Sequence, residues 1–135
     1  MYNAIDVLSG ALDDIALLEA KDPKALAVVL ALLQEAEAET RLIDKFTSYG
    51  NVDLGKLRVN VKPWVLARAT DNLFRIRILD TPATVYRVVY GYDWRRRRIG
   101  ILAIIHKDLF DYEIDSQIAD RIFNDWYVAT DGQPT

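Results

Sequence analysis

Three arginines, Arg75, Arg77 and Arg87, alternate with apolar residues in two neighbouring runs, Leu73-Phe74-Arg75-Ile76-Arg77-Ile78 and Tyr86-Arg87-Val88-Val89-Tyr90. A guanidinium fork matches a phosphate group bidentately. Further along come His106, Lys107 and Tyr112. Cleavage of RNA by its own 2′-OH needs a general base, a general acid and positive charge beside the developing oxyanion. Tyr112, His106 and Lys107 can transfer the protons and the arginines can supply the charge, with no metal and no other cofactor. The run Arg95-Arg96-Arg97-Arg98 offers further phosphate contacts.

Each residue also has a plainer reading. Alternating arginines on a strand make a solvated sheet face. A histidine at a strand end is often structural, and Tyr112 can pack its ring under a helix. The Arg95–Arg98 run suits a charged turn that blunts the end of a hairpin. Trp64, Trp94 and Trp126 read as packing residues, with Trp94, beside the arginines, the one placed to stack a base.

Composition narrows the chemistry. The 135 residues hold 17 Lys and Arg against 20 Asp and Glu, one histidine and no cysteine. Disulfides, zinc fingers, iron–sulfur sites, thiol catalysis and multi-histidine metal sites are therefore excluded. Glu35, Glu37 and Glu39 are spaced by two and do not share a helix face, so they are not a metal box. No phosphate-binding glycine loop, nucleophile elbow or zinc-protease motif is present. The net charge of −3 hides an uneven distribution. Residues 68–110 carry nine Lys and Arg against four acids, and residues 111–135 one against six. A basic segment between acidic ones can still form a basic face. No apolar run approaches the roughly 20 residues that span a bilayer, and the first residues lack a basic leader. The expectation is a cytoplasmic protein with no membrane partner.

These residues need elements to hold them. Ile5, Leu8, Leu12 and Ile15 fit a helix over 3–19. Asp22 and Pro23 fit the cap and first turn of a second helix, over 23–47. The pair makes a helical hairpin. Leu57–Val61 alternates as an extended segment, and three strands follow: Leu73–Leu79, Val85–Tyr92 and Ile99–Ile105. The last is apolar on both faces and reads as central. Short links favour an antiparallel meander. A final helix begins near Asp115 or Ser116, with Ile118, Ile122 and Trp126 along one stripe. The expected fold is a single α+β domain over 1–130: an N-terminal helical hairpin on a small antiparallel sheet of three to four strands, closed by a C-terminal helix, with a frayed tail over 131–135.

The order of these motifs resembles the RelE/ParE superfamily of toxin–antitoxin toxins. In that family a strand of the form leucine–aromatic–x–leucine–arginine precedes a Tyr-Arg-Val-x-Tyr strand; Leu73-Phe74-Arg75-Ile76-Arg77, then Tyr86-Arg87-Val88-Val89-Tyr90, then an apolar strand ending in His106-Lys107, then Tyr112, resemble that pattern over residues 56–113. The family opens with a strand, for which the sequence offers only Leu57–Val61. The resemblance implies a cytoplasmic toxin held by a cognate antitoxin, and in the RelE-like branch a ribosome-dependent endoribonuclease, an mRNA interferase. It places Arg87 on the scissile phosphate, His106 or Lys107 at the basic catalytic position, Tyr112 at proton transfer or base stacking, and Arg75 and Arg77 at supporting phosphate contacts. The alternative it allows is a ParE-like toxin or a non-toxic interaction module that acts by binding protein. The groove between helical hairpin and sheet is the expected antitoxin dock.

Overall fold

A computed structural model describes residues 4–38, 40–64, 72–109 and 116–132 of the chain. Tyr112 lies outside the described residues, as do Asp71, Asp111, Glu113 and Asp115. Among the described residues the fold is α+β, with three α-helices and a six-stranded mixed sheet.

The chain opens with a strand, β1 (Ala4–Val7), and not with a helix. Ile5 and Val7 turn to the core, and Asp6 faces the other way to ion-pair with Arg98 at 2.8 Å. The first helix, α1 (Ser9–Lys21), therefore begins later than the periodicity suggests. Its N-cap residue, Leu8, offers no side-chain cap. The Gly10 amide instead donates to Asp125 of the last helix at 3.2 Å. A Cβ on Gly10 would lie 2.6 Å from Arg121 Nε and 2.7 Å from the Asp125 carboxylate. The glycine, unfavourable inside a helix by about 1 kcal/mol, is thus the point where two helices touch.

Asp22 ends α1 and caps α2 (Pro23–Ala38), accepting the Ala25 amide at 3.2 Å. Asp22 also accepts the Tyr86 hydroxyl at 3.2 Å, tying the hairpin to the sheet. The second helix stops at Ala38, short of the expected residue 47. Thr40–Thr47 forms a 3₁₀ segment instead, and its Phe46 carbonyl receives the buried Tyr90 hydroxyl at 2.5 Å. Burial pushes the Tyr90 phenol well above the ordinary tyrosine range, so it stays protonated as a donor.

Six strands replace the expected three or four. A hairpin of β2 (Gly50–Leu54) and β3 (Leu57–Pro63) precedes β4 (Leu73–Ile78). A short 3₁₀ turn, Pro82–Val85, leads into β5 (Tyr86–Asp93), and a tight turn into β6 (Arg98–His106). The order across the sheet is β1-β6-β5-β4-β3-β2. Strands β2 to β6 form the antiparallel meander, and β1 adds in parallel to β6. The β6 strand is covered on both faces, as its apolar sequence indicates, but it is not central: it lies second from the edge, with β1 beside only Arg98–Ile101.

Helices α1 and α2 cover one face, over Val59, Val61, Ile76, Val88, Tyr90 and Ile101. The last helix, α3 (Ser116–Ala129), covers part of the other, over Leu73, Val89, Leu102 and Ala103. Its Trp126 lies on Gly91 and Gly100, which are directly opposed across β5 and β6. A Cβ at Gly91 would meet the indole at 2.6 Å. Gly91→Ala is expected to destabilise the protein by about 1–3 kcal/mol through overpacking, read as a lower urea midpoint at unchanged slope. An unchanged midpoint would mean that Trp126 is free to shift.

Candidate nucleic-acid interface

Side chains alternate along a strand, so the register decides which groups share a face. Phe74, Ile76 and Ile78 of β4 point into the core under α1 and α2. Arg75 and Arg77 therefore point to the other face, as the spacing indicates. On β3, Lys62 stands directly opposite Arg75 and Asn60 directly opposite Arg77. On β2, Asn51 pairs with Asn60 and Asp53 with Arg58. On β5, Arg75 is opposite Val89, and Arg87 lies one step beyond the paired Val88, on this same face.

The part of this face built from β2, β3 and β4 thus carries Arg58, Lys62, Arg75 and Arg77, with Arg87 at its border. Asp53 is the one carboxylate on these three strands among the described residues. Like charges placed directly opposite across strands destabilise a sheet. The Lys62–Arg75 juxtaposition is such a pair, and a bound polyanion would offset it. Sequence reading had not included Lys62, Arg58 or the asparagines. Lys62 alternates with buried Val61, but nothing local says that β3 lies beside β4.

Two side chains on this face are fixed in place. One Arg75 Nη donates to the Asn60 carbonyl at 3.1 Å and to Asn60 Oδ1 at 2.9 Å. Asn60 Nδ2 in turn donates to Asn51 Oδ1 at 2.8 Å. The amide pair therefore holds the guanidinium in one orientation across three strands. Arg77 has a buried Nε with no hydrogen-bond partner. Arg87 is nearly fully buried, at 4% exposure, and donates to the Thr84 carbonyl at 2.9 Å. It props the 3₁₀ turn from beneath while presenting little surface to solvent.

His106 does not join the arginines. It is opposite Tyr86 in the register, whereas Arg87 is opposite Ile105. The imidazole thus faces the α1 side, edge-on to the Tyr86 ring at 5.6 Å. Its Nδ1 accepts the Asp108 amide at 3.2 Å. Lys107 is half-buried where the chain leaves the sheet.

The four-arginine turn also divides. Arg96 bonds the Ala129 carbonyl at 2.8 Å and the Asp131 carboxylate at 2.6 Å, closing the C-terminus of α3. Arg98 pairs with Asp6 of β1. Arg95 lies 4.9 Å from the centre of the exposed Trp94 ring, and Arg97 is exposed.

A groove of about 610 Å³ opens between α1, the far end of β6 and α3, lined by Leu17, Leu18, Tyr86, Ile104, His106 and Leu109 among others. Strand β1 ends beside Ile101, and among the described residues no other strand lies beside the rest of the β6 edge. Asp14 and Arg121 occupy that edge. Asp14 accepts the Ile104 amide at 2.9 Å, and Arg121 donates to the Leu102 carbonyl at 3.3 Å. The two side chains bond each other at 2.9 and 3.1 Å. Their hydrogen bond holds the Arg121 guanidinium in its charged form against the opposing effect of burial.

Among the described residues no cluster of three or more histidine, cysteine or acidic side chains is placed to hold a metal ion. None of their helices is long and apolar enough to cross a membrane. Neither a protein-family model, nor a curated protein, nor a solved structure matches the chain.

Proposed function

We propose that the chain is an RNA-directed toxin of the RelE-like kind, whose basic sheet face holds a phosphodiester backbone and whose groove takes a cognate antitoxin. The carrying observation is the face itself, where Lys62, Arg75 and Arg77 converge and the Asn51–Asn60 pair fixes one guanidinium. Strand β1 supports this reading, because Ala4–Val7 takes the opening-strand position of the family pattern, for which the sequence offers only Leu57–Val61. The chemistry is metal-independent attack of the RNA 2′-OH on its own phosphate, with mRNA on the ribosome as substrate. Arg75 and Arg77 hold phosphate, and Arg87 acts from beneath as the support of the site. Tyr112 and Lys107 remain the candidates for proton transfer. His106 is left out of catalysis, since it faces the groove.

That position of His106, together with the burial of Arg87, favours the second reading, a ParE-like or non-toxic module that acts by binding a protein. A cell-free translation extract separates the two. Primer extension on a translated message is expected to reveal new 5′ ends, those of the downstream fragments, with the wild-type chain and at least tenfold fewer with Arg77→Ala. Arg87→Ala is a poor control, because it removes the prop of the 3₁₀ turn. An intact message with folded, antitoxin-free protein would eliminate the nuclease and leave the binding module.

A further inference from the structure

We infer that the tip of the β5–β6 hairpin is a second RNA contact, in which the exposed Trp94 ring stacks an unpaired base and Arg95 and Arg97 hold the flanking phosphates. The inference rests on the reading of this chain as RNA-binding, but it uses a different surface. Trp126 of α3 sits on Gly91, between the basic sheet face and the tip. Asp93, at the tip, lies four residues along β5 from Val89, which is opposite Arg75.

The turn itself does not account for Trp94. Its conformation is set by Asp93, whose buried carboxylate accepts the Arg95 amide at 3.1 Å and the Arg96 amide at 3.4 Å. The Arg96 and Arg98 side chains anchor it to α3 and β1. Trp94 is left 57% exposed, with the Arg95 guanidinium over its ring. Arg97 adopts a left-handed backbone, φ 53°, where glycine or asparagine would be relaxed. An aromatic ring bordered by cations is what an unpaired nucleotide needs: a π-face for the base and charge for the phosphate. Trp94 is followed in the turn by the exposed cations Arg95, Arg96 and Arg97, a concentration of positive charge that favours a polyanionic ligand.

The three tryptophans make the test direct. Trp64 and Trp126 are 5% and 3% exposed, so emission that responds to an added ligand at the surface reports Trp94. The full chain is titrated with a short unstructured oligoribonucleotide, following tryptophan emission, while anisotropy of a dye-labelled copy follows binding. Saturable quenching is expected, weakened by salt, with affinity about tenfold lower in Trp94→Ala. In Arg75→Ala/Arg77→Ala the RNA binds more weakly, and the same depth of quenching is expected at saturation, reached at higher RNA concentration. Binding without quenching, with Trp94→Ala as tight as wild type, overturns the tip contact and leaves the sheet face standing. No binding by the wild-type chain overturns both. A blue shift on anionic phosphatidylserine vesicles, with no response to RNA, overturns it in favour of a membrane surface.

Discussion

Charge reversal at both Arg75 and Arg77, to glutamate, is expected to weaken RNA binding more than a hundredfold while leaving the unfolding free energy within about 1 kcal/mol of wild type. The two effects separate because, on the proposed reading, the cations serve a ligand more than the fold. Removing two phosphate contacts also lowers the slope of log affinity against log salt by about 1.4 for single-stranded RNA. Stability is nearly conserved because Lys62 faces position 75 directly across the strands. A glutamate there replaces a like-charged pair with an opposite one, a gain of about 0.2–1 kcal/mol. That offsets the lost bonds from Arg75 to Asn60, a net loss of about 1 kcal/mol. Anisotropy titrations at several salt concentrations, paired with urea unfolding, read both quantities. Wild-type affinity in the double variant would sink the assignment of this face.

Asp14→Ala is expected to destabilise the protein by about 3 kcal/mol. One carboxylate here serves two groups, the Ile104 amide and the Arg121 guanidinium. Its removal leaves a backbone donor unsatisfied, worth about 1–3 kcal/mol. It also leaves a cation without its partner, and Arg121 is two-thirds covered, with 32% of its side chain exposed. Asp14→Asn keeps an acceptor for the amide and should recover about half of the loss. Thermal unfolding is expected to fall by about 10 °C in the alanine variant. Amide exchange at Ile104 should accelerate with it. A fall in stability under 1 kcal/mol would mean that water replaces the carboxylate at no penalty.

Much of the sheet was legible because its information is local. Phe74, Ile76 and Ile78 alternate with Arg75 and Arg77, so both strand and arginine face follow from a period of two. Ile99–Ile105 is apolar on both parities, which only a covered strand tolerates. Asp22-Pro23 announces a helix start, and Asp22 does cap α2. The misses depend on distant partners. Ile5 fits a helix with Leu8 and Leu12 as well as it fits a strand, and the edge of β6 decides the matter. Gly50-Asn51 looks like a turn, yet it begins an edge strand whose polar side chains face outward. His106 joins Arg87 in the sequence reading through the chemistry that RNA cleavage needs and through the family pattern, neither of which contains the pairing. Their opposite faces follow from pairing, in which Tyr86 meets His106, and single-strand periodicity contains no pairing.

The parallel pairing of β1 with β6 also sets when this protein can become itself during synthesis. Asp6 and Arg98, which join those strands, are 92 residues apart, and the Gly10 amide waits for Asp125, 115 residues later. The hairpins from β2 to β6 need only their neighbours and can form as they emerge. The first strand and first helix cannot settle until the last quarter of the sequence is made. Contacts of such long range close slowly, since loop closure precedes their reward. The arginine-bearing strands are thus assembled in a nascent chain whose outer elements are still open, and maturation is completed from the C-terminal side back to the start.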